Sequence, residues 1–106
     1  MLSNNATMNV RRIWGADICR DGGSYSLCFD ADDGRWYELF LQVRFGEGDI
    51  PTYDPPVIYL EGVNSGQAVQ SLNWSDARRF TAALQYDSPR FTELLKVIAA
   101  DGSAAP

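Results

Sequence analysis

Residues 24–45 constrain the fold more than any other stretch. From Ser24 to Ala31, Tyr25, Leu27, Phe29 and Ala31 alternate with Ser24, Ser26, Cys28 and Asp30. From Arg35 to Phe45, Tyr37, Leu39, Leu41, Val43 and Phe45 alternate with Trp36, Glu38, Phe40, Gln42 and Arg44. A period of two puts each set on one face of a strand, so the segment reads as a hairpin around Asp32-Asp33-Gly34. A two-residue Asp33-Gly34 loop would set Phe29 opposite Glu38 and Tyr25 opposite Gln42, mixing the faces. A three-residue loop pairs Phe29 with Tyr37, Leu27 with Leu39 and Tyr25 with Leu41. A one-residue slip turns every side chain to the wrong face, so burial selects the longer loop, with Gly34 left-handed in a bulge.

Around this hairpin the signals are weaker. Ile13–Ile18 reads as a strand interrupted by Gly15, followed by a turn at Arg20-Asp21-Gly22-Gly23. Gly46–Pro56 holds three prolines, two glycines and three acids in eleven residues, a composition that predicts irregular chain. Val57–Leu60 and Ala68–Leu72 read as further strands about a turn at Asn64-Ser65-Gly66. The period then becomes helical. Asn73 or Ser75 can cap a helix that turns Ala77, Phe80, Thr81 and Leu84 inward and Arg78 and Arg79 to water. Ser88 and Pro89 suit the cap and first position of a second helix, striped by Phe91, Leu94, Leu95 and Ile98, with Glu93 and Lys96 paired outside. Strands first and helices last predict an α+β domain: an antiparallel meander of about five strands, then two C-terminal helices packed on one face. At 106 residues one core is expected over residues 10–100, between a flexible start at 1–9 and a flexible tail at 101–106.

Composition narrows function by exclusion. Lys plus Arg is 9, Asp plus Glu is 14 and His is absent, a net charge of −5. The acidic balance disfavours nucleic acid, and no apolar run approaches the ~20 residues of a membrane span. The first residues have neither a basic nor an apolar leader region, and two cysteines, Cys19 and Cys28, are too few for a disulfide framework, so a cytoplasmic protein is expected. Without histidine, Ser-His-Asp and Cys-His catalysis and His-ligated metals are out of reach. Asp30-Ala31-Asp32-Asp33-Gly34 lacks the ligand spacing of a calcium loop. The expectation is therefore binding rather than catalysis, with no cofactor and no metal.

Two groups of residues are candidates for that binding. Glu47, Asp49, Tyr53 and Asp54 gather in the long loop, where they would meet a basic protein surface. Trp36, Phe40 and Glu38 lie on the nominally solvent face of the hairpin, where aromatic residues suit a contact surface. Trp14 and Trp74 read as structural. A small, acidic, one-domain chain is similar in broad character to bacterial immunity proteins, inhibitors that neutralise a toxin by direct binding, although no stretch carries a family signature. The alternatives are a ligand-binding or sensory module with a pocket lined by Tyr25, Tyr37 or Tyr59, and a homodimer or larger self-assembly that buries Trp36 and Phe40 against its own copy. A carboxylate- or tyrosine-based enzyme would require acids converging in a cleft.

Overall fold

The computed structural model describes residues 8–19 and 23–103. Six strands form one antiparallel sheet: β1 Val10–Cys19, β2 Ser24–Ala31, β3 Trp36–Phe45, β4 Pro51–Tyr53, β5 Val57–Leu60 and β6 Ala68–Ser71. Two helices follow, α1 Trp74–Ala82 and α2 Pro89–Ala99. The strand order is β1-β2-β3-β5-β6, with β4 also paired to β3. This is the α+β arrangement that the change of period implied. The expected turn at Arg20–Gly23 falls largely outside the described residues.

The central hairpin has the register that burial demanded. Phe29 pairs with Tyr37, Leu27 with Leu39 and Tyr25 with Leu41. Ala31 donates its N–H to the Arg35 carbonyl at 2.9 Å and accepts from Gly34 at 3.1 Å. Gly34 is left-handed at φ 84, a conformation that costs glycine nothing. Leu27, Phe29, Leu39, Leu41 and Ile58 are fully buried, each contributing about 1.5–3 kcal/mol relative to an exposed side chain.

β1 joins this core by leaving strict alternation. Its pairing to β2 slips between Val10 and Arg12 and again between Ile13 and Gly15. Each bulge absorbs one residue, so that Val10, Ile13, Ala16 and Ile18 all pack against the core. A regular strand with Val10, Ala16 and Ile18 inward would have turned Ile13 to the other face and Trp14 into the core. Gly15, which interrupted the sequence pattern, sits at the second bulge, and the extra residue there is Trp14.

The eleven-residue stretch is more ordered than its composition suggested. After a short 3-10 turn at Glu47–Asp49, the chain returns along β3, pairing Pro51 with Phe45, Thr52 with Arg44 and Tyr53 with Val43. Asp54 then donates its N–H to the Gln42 carbonyl, and after Pro55-Pro56, β5 continues on the same edge with Val57 opposite Phe40. β4 and β5 are in effect one strand broken by two prolines, whose missing N–H groups cannot extend the ladder.

The helices cover one face of the sheet. Asn73 caps α1 by accepting from the Asp76 N–H at 2.7 Å, and Ser88 caps α2, with Pro89 in the first turn. Ala77, Phe80, Phe91, Leu94 and Ile98 are buried in one cluster with the inward residues of β2, β3 and β5. Arg78 and Arg79 face water and form ion pairs with Asp101 and Asp76. The expected Glu93–Lys96 pair is absent among the described residues. Glu93 instead accepts from the Tyr25 hydroxyl at 3.2 Å, because the end of β2 comes within its reach. Beyond α2, Gly102 accepts from the Tyr53 N–H at 2.8 Å and donates to the Val97 carbonyl. Residues 101–103 thereby dock on β4.

Candidate functional site

The sheet face away from the helices is the candidate site. Trp36, Glu38 and Phe40 project there from β3, alternating with the buried Tyr37 and Leu39. From β2 come Ser26, Cys28 and Asp30, and from β5 Val57 and Tyr59, by pairing with Phe40 and Glu38. The β1 bulge adds Trp14, whose ring meets that of Trp36 edge-on at 5.4 Å. The Trp14 Nε1 donates to Asp30 Oδ1 at 3.1 Å, and Arg12 pairs with Asp30 Oδ2 at 3.2 Å. Trp14 is therefore not a core residue: it is 42% exposed and enlarges the aromatic face. Its placement depends on the bulge, for which Gly15 was the only signal in sequence.

Further along the face, Phe40 and Tyr59 form a second edge-on aromatic pair at 6.3 Å. Aromatic pairs of this kind prefer such geometry because the positive ring edge meets the negative ring face. One end of the face is capped by the turn at Gly62–Ser65. Glu38 Oε1 accepts the Val63 N–H at 2.8 Å, and a Cβ at Gly62 would approach the Trp36 ring to 3.0 Å. Glu38 is thus tied to its own fold.

Cys28 lies half-buried on this face. Burial, helped by Glu38 and Asp17, pushes its thiol up to about 11, so at neutral pH it is the protonated thiol and a poor nucleophile. The register sets Cys19 opposite Ser24 and Cys28 opposite Gly15, on different rungs. The acids at the hairpin diverge. Asp30 serves Arg12 and Trp14, while Asp33 accepts from the Tyr37 hydroxyl and from the Arg35 N–H. The Tyr37 contact holds Asp33 below the usual carboxylate range, and burial followed by that contact pushes Tyr37 up to about 12. Among the described residues no three acids or thiols converge in a metal-binding group.

The loop residues are not brought to this face as a set. Tyr53 turns inward beside Val43, its ring edge-on to Tyr25 at 5.3 Å. Asp54 is bound to Arg44 at 2.6 Å, which holds the guanidinium pKa above its ordinary value. Glu47 and Asp49 alone of the four are exposed, at the tip between β3 and β4. The tyrosines proposed to share a pocket are likewise dispersed. Tyr25 lines an open cleft of about 410 Å³ with Tyr53, Glu93 and Lys96, Tyr37 serves Asp33, and Tyr59 is on the outer face.

Among the described residues no helix is long and apolar enough to cross a membrane. No protein-family model, curated protein or solved structure matches the chain.

Proposed function

We propose that this chain is a small protein-binding module of the inhibitor or immunity type, acting in the cytoplasm by direct contact with one partner. The observation that carries this reading is the asymmetry of the sheet. The buried side chains of both helices belong to the cluster on one face, while Trp14, Trp36, Phe40 and Tyr59 stand on the other with their rings partly in water. Tryptophan and tyrosine dominate binding hot spots because they present large rigid area at small entropic cost. A net charge of −5 favours a basic partner and would speed its approach.

The test begins with affinity capture by the intact chain, followed by calorimetry on the recovered protein. Trp14→Ser and Trp36→Ala should each cost about 2 kcal/mol of affinity, roughly 30-fold. Trp14→Ser is the cleaner variant, since Trp36 also supports the Gly62 turn. Wild-type affinity in both variants would overturn the reading. A stable dimer of the free chain that Trp14→Ser dissociates would favour self-assembly instead.

A further inference from the structure

The strand that builds the core ends in an apolar tip. Along the inward face of β3, Leu39, Leu41 and Val43 are buried, yet the next residue on that face, Phe45, is 65% exposed. Across the turn Ile50 is 56% exposed. Between them Gly48 and Asp49 are both left-handed, at φ 75 and 58, and the Asp49 N–H donates to the Gly46 carbonyl at 3.3 Å. A Cβ at Gly46 or Gly48 would meet nothing within 4 Å, so the tip stands clear of the domain. No ion pair or side-chain hydrogen bond engages Glu47 or Asp49 among the described residues, whereas Asp54 at the base is neutralised by Arg44.

We infer that this tip is a second contact: a wedge whose Phe45 and Ile50 enter an apolar pocket on a folded protein, rimmed by Lys or Arg facing Glu47 and Asp49. Charge complementarity selects that occupant. Two unneutralised acids beside an apolar pair would be repelled by an anionic lipid surface, but they steer a basic pocket into place. The inference rests on the partner-binding reading and extends it to residues at the other end of β3, about 30 Å from Trp36 at ~3.3 Å per residue.

The test places p-benzoylphenylalanine in the full chain at position 45, at position 59 on the sheet face, or at position 79 on α1, and irradiates it in its own cells. Positions 45 and 59 should capture the same protein and position 79 none, with apolar residues and Lys or Arg in the peptide captured at 45. Against that purified protein, Glu47→Gln with Asp49→Asn should slow association about tenfold at low salt and flatten its salt dependence. Phe45→Ser with Ile50→Ser should speed dissociation by about tenfold or more. Melting temperatures should not fall in either variant. Capture from 59 without 45, or wild-type kinetics in both tip variants, overturns the wedge and leaves the sheet-face reading standing. Capture from 45 alone supports the wedge and rejects the sheet face, whereas capture from neither rejects both. Sedimentation of the chain with anionic phospholipid vesicles, lost in Phe45→Ser with Ile50→Ser, would overturn the protein pocket in favour of lipid.

Discussion

Leu39 and Phe40 are neighbours on β3 and belong to different worlds. Leu39 is fully buried between the hairpin and the helices. Phe40 faces outward, half-covered, edge-on to Tyr59 and beside Val57. The same backbone thus carries two chemistries, one side answering to packing and the other available for contact. Apolar character alone does not separate them, since both residues are large and hydrophobic. The difference comes from which face the helices close.

The comparison breaks first in stability measurements. Leu39→Ala removes side-chain volume from a closed core and should cost about 2–5 kcal/mol in denaturant unfolding, while Phe40→Ala should cost clearly less. Equal losses would mean that the outer face is as tightly packed as the inner. Next in size is Gly102→Ala. At φ 77 its new Cβ would lie 2.4 Å from the Trp74 ring and 2.6 Å from the Tyr53 carbonyl, so a loss above about 1 kcal/mol is expected. An unchanged melting temperature would show that the 101–103 turn does not hold β4. Asn73→Ala, which deletes the cap of α1 on the covered side, should cost about 1 kcal/mol by the same assay.

The smallest effects are in titration. Cys28 and Tyr37 both have raised folded-state pKa values, about 11 and about 12, so each favours folding in its protonated form. That stabilisation is complete below the unfolded values, near 9 for the thiol and 10 for the phenol, and is lost as pH climbs through the folded ones. Unfolding free energy should therefore decline from about pH 9 upward. At pH 8, peptide mapping should find iodoacetamide alkylation at Cys28 slower than at a free thiol. Rapid labelling there would mean that the outer face is more open to water than its burial indicates. Tyr37→Phe should let the Asp33 pKa rise toward the ordinary carboxylate range, visible by carbon NMR.

Much of this was legible in the chain because its rules are short-range. Period-two alternation between residues 24 and 45 leaves one register that keeps the faces pure, and Asp-Asp-Gly supplies the turn that register needs. Ser88-Pro89 and Asn73 announce their helices because a cap is satisfied within three residues. Trp36 and Phe40 stood out for the same reason, as large aromatics on the polar phase of a strand. Where the reading fell short, a distant contact was in control. Trp14 reaches the outer face because two bulges re-phase β1 against β2, and the extra residue of a bulge is defined only against its partner strand, with Gly15 as the one local mark. Tyr53 and Asp54 left the acidic loop because Pro51–Tyr53 found the free edge of β3.

Phe45 marks the boundary between the two kinds of information. Its alternation with Val43 assigns its face as surely as it does for Leu39. Whether that face is dry depends on what packs over it, and among the described residues no helix covers the end of β3, where Phe45 is 65% exposed. Pattern specifies direction because the strand's geometry repeats every two residues. Burial belongs to the assembled layers, since apolar area leaves water only where another element arrives to cover it.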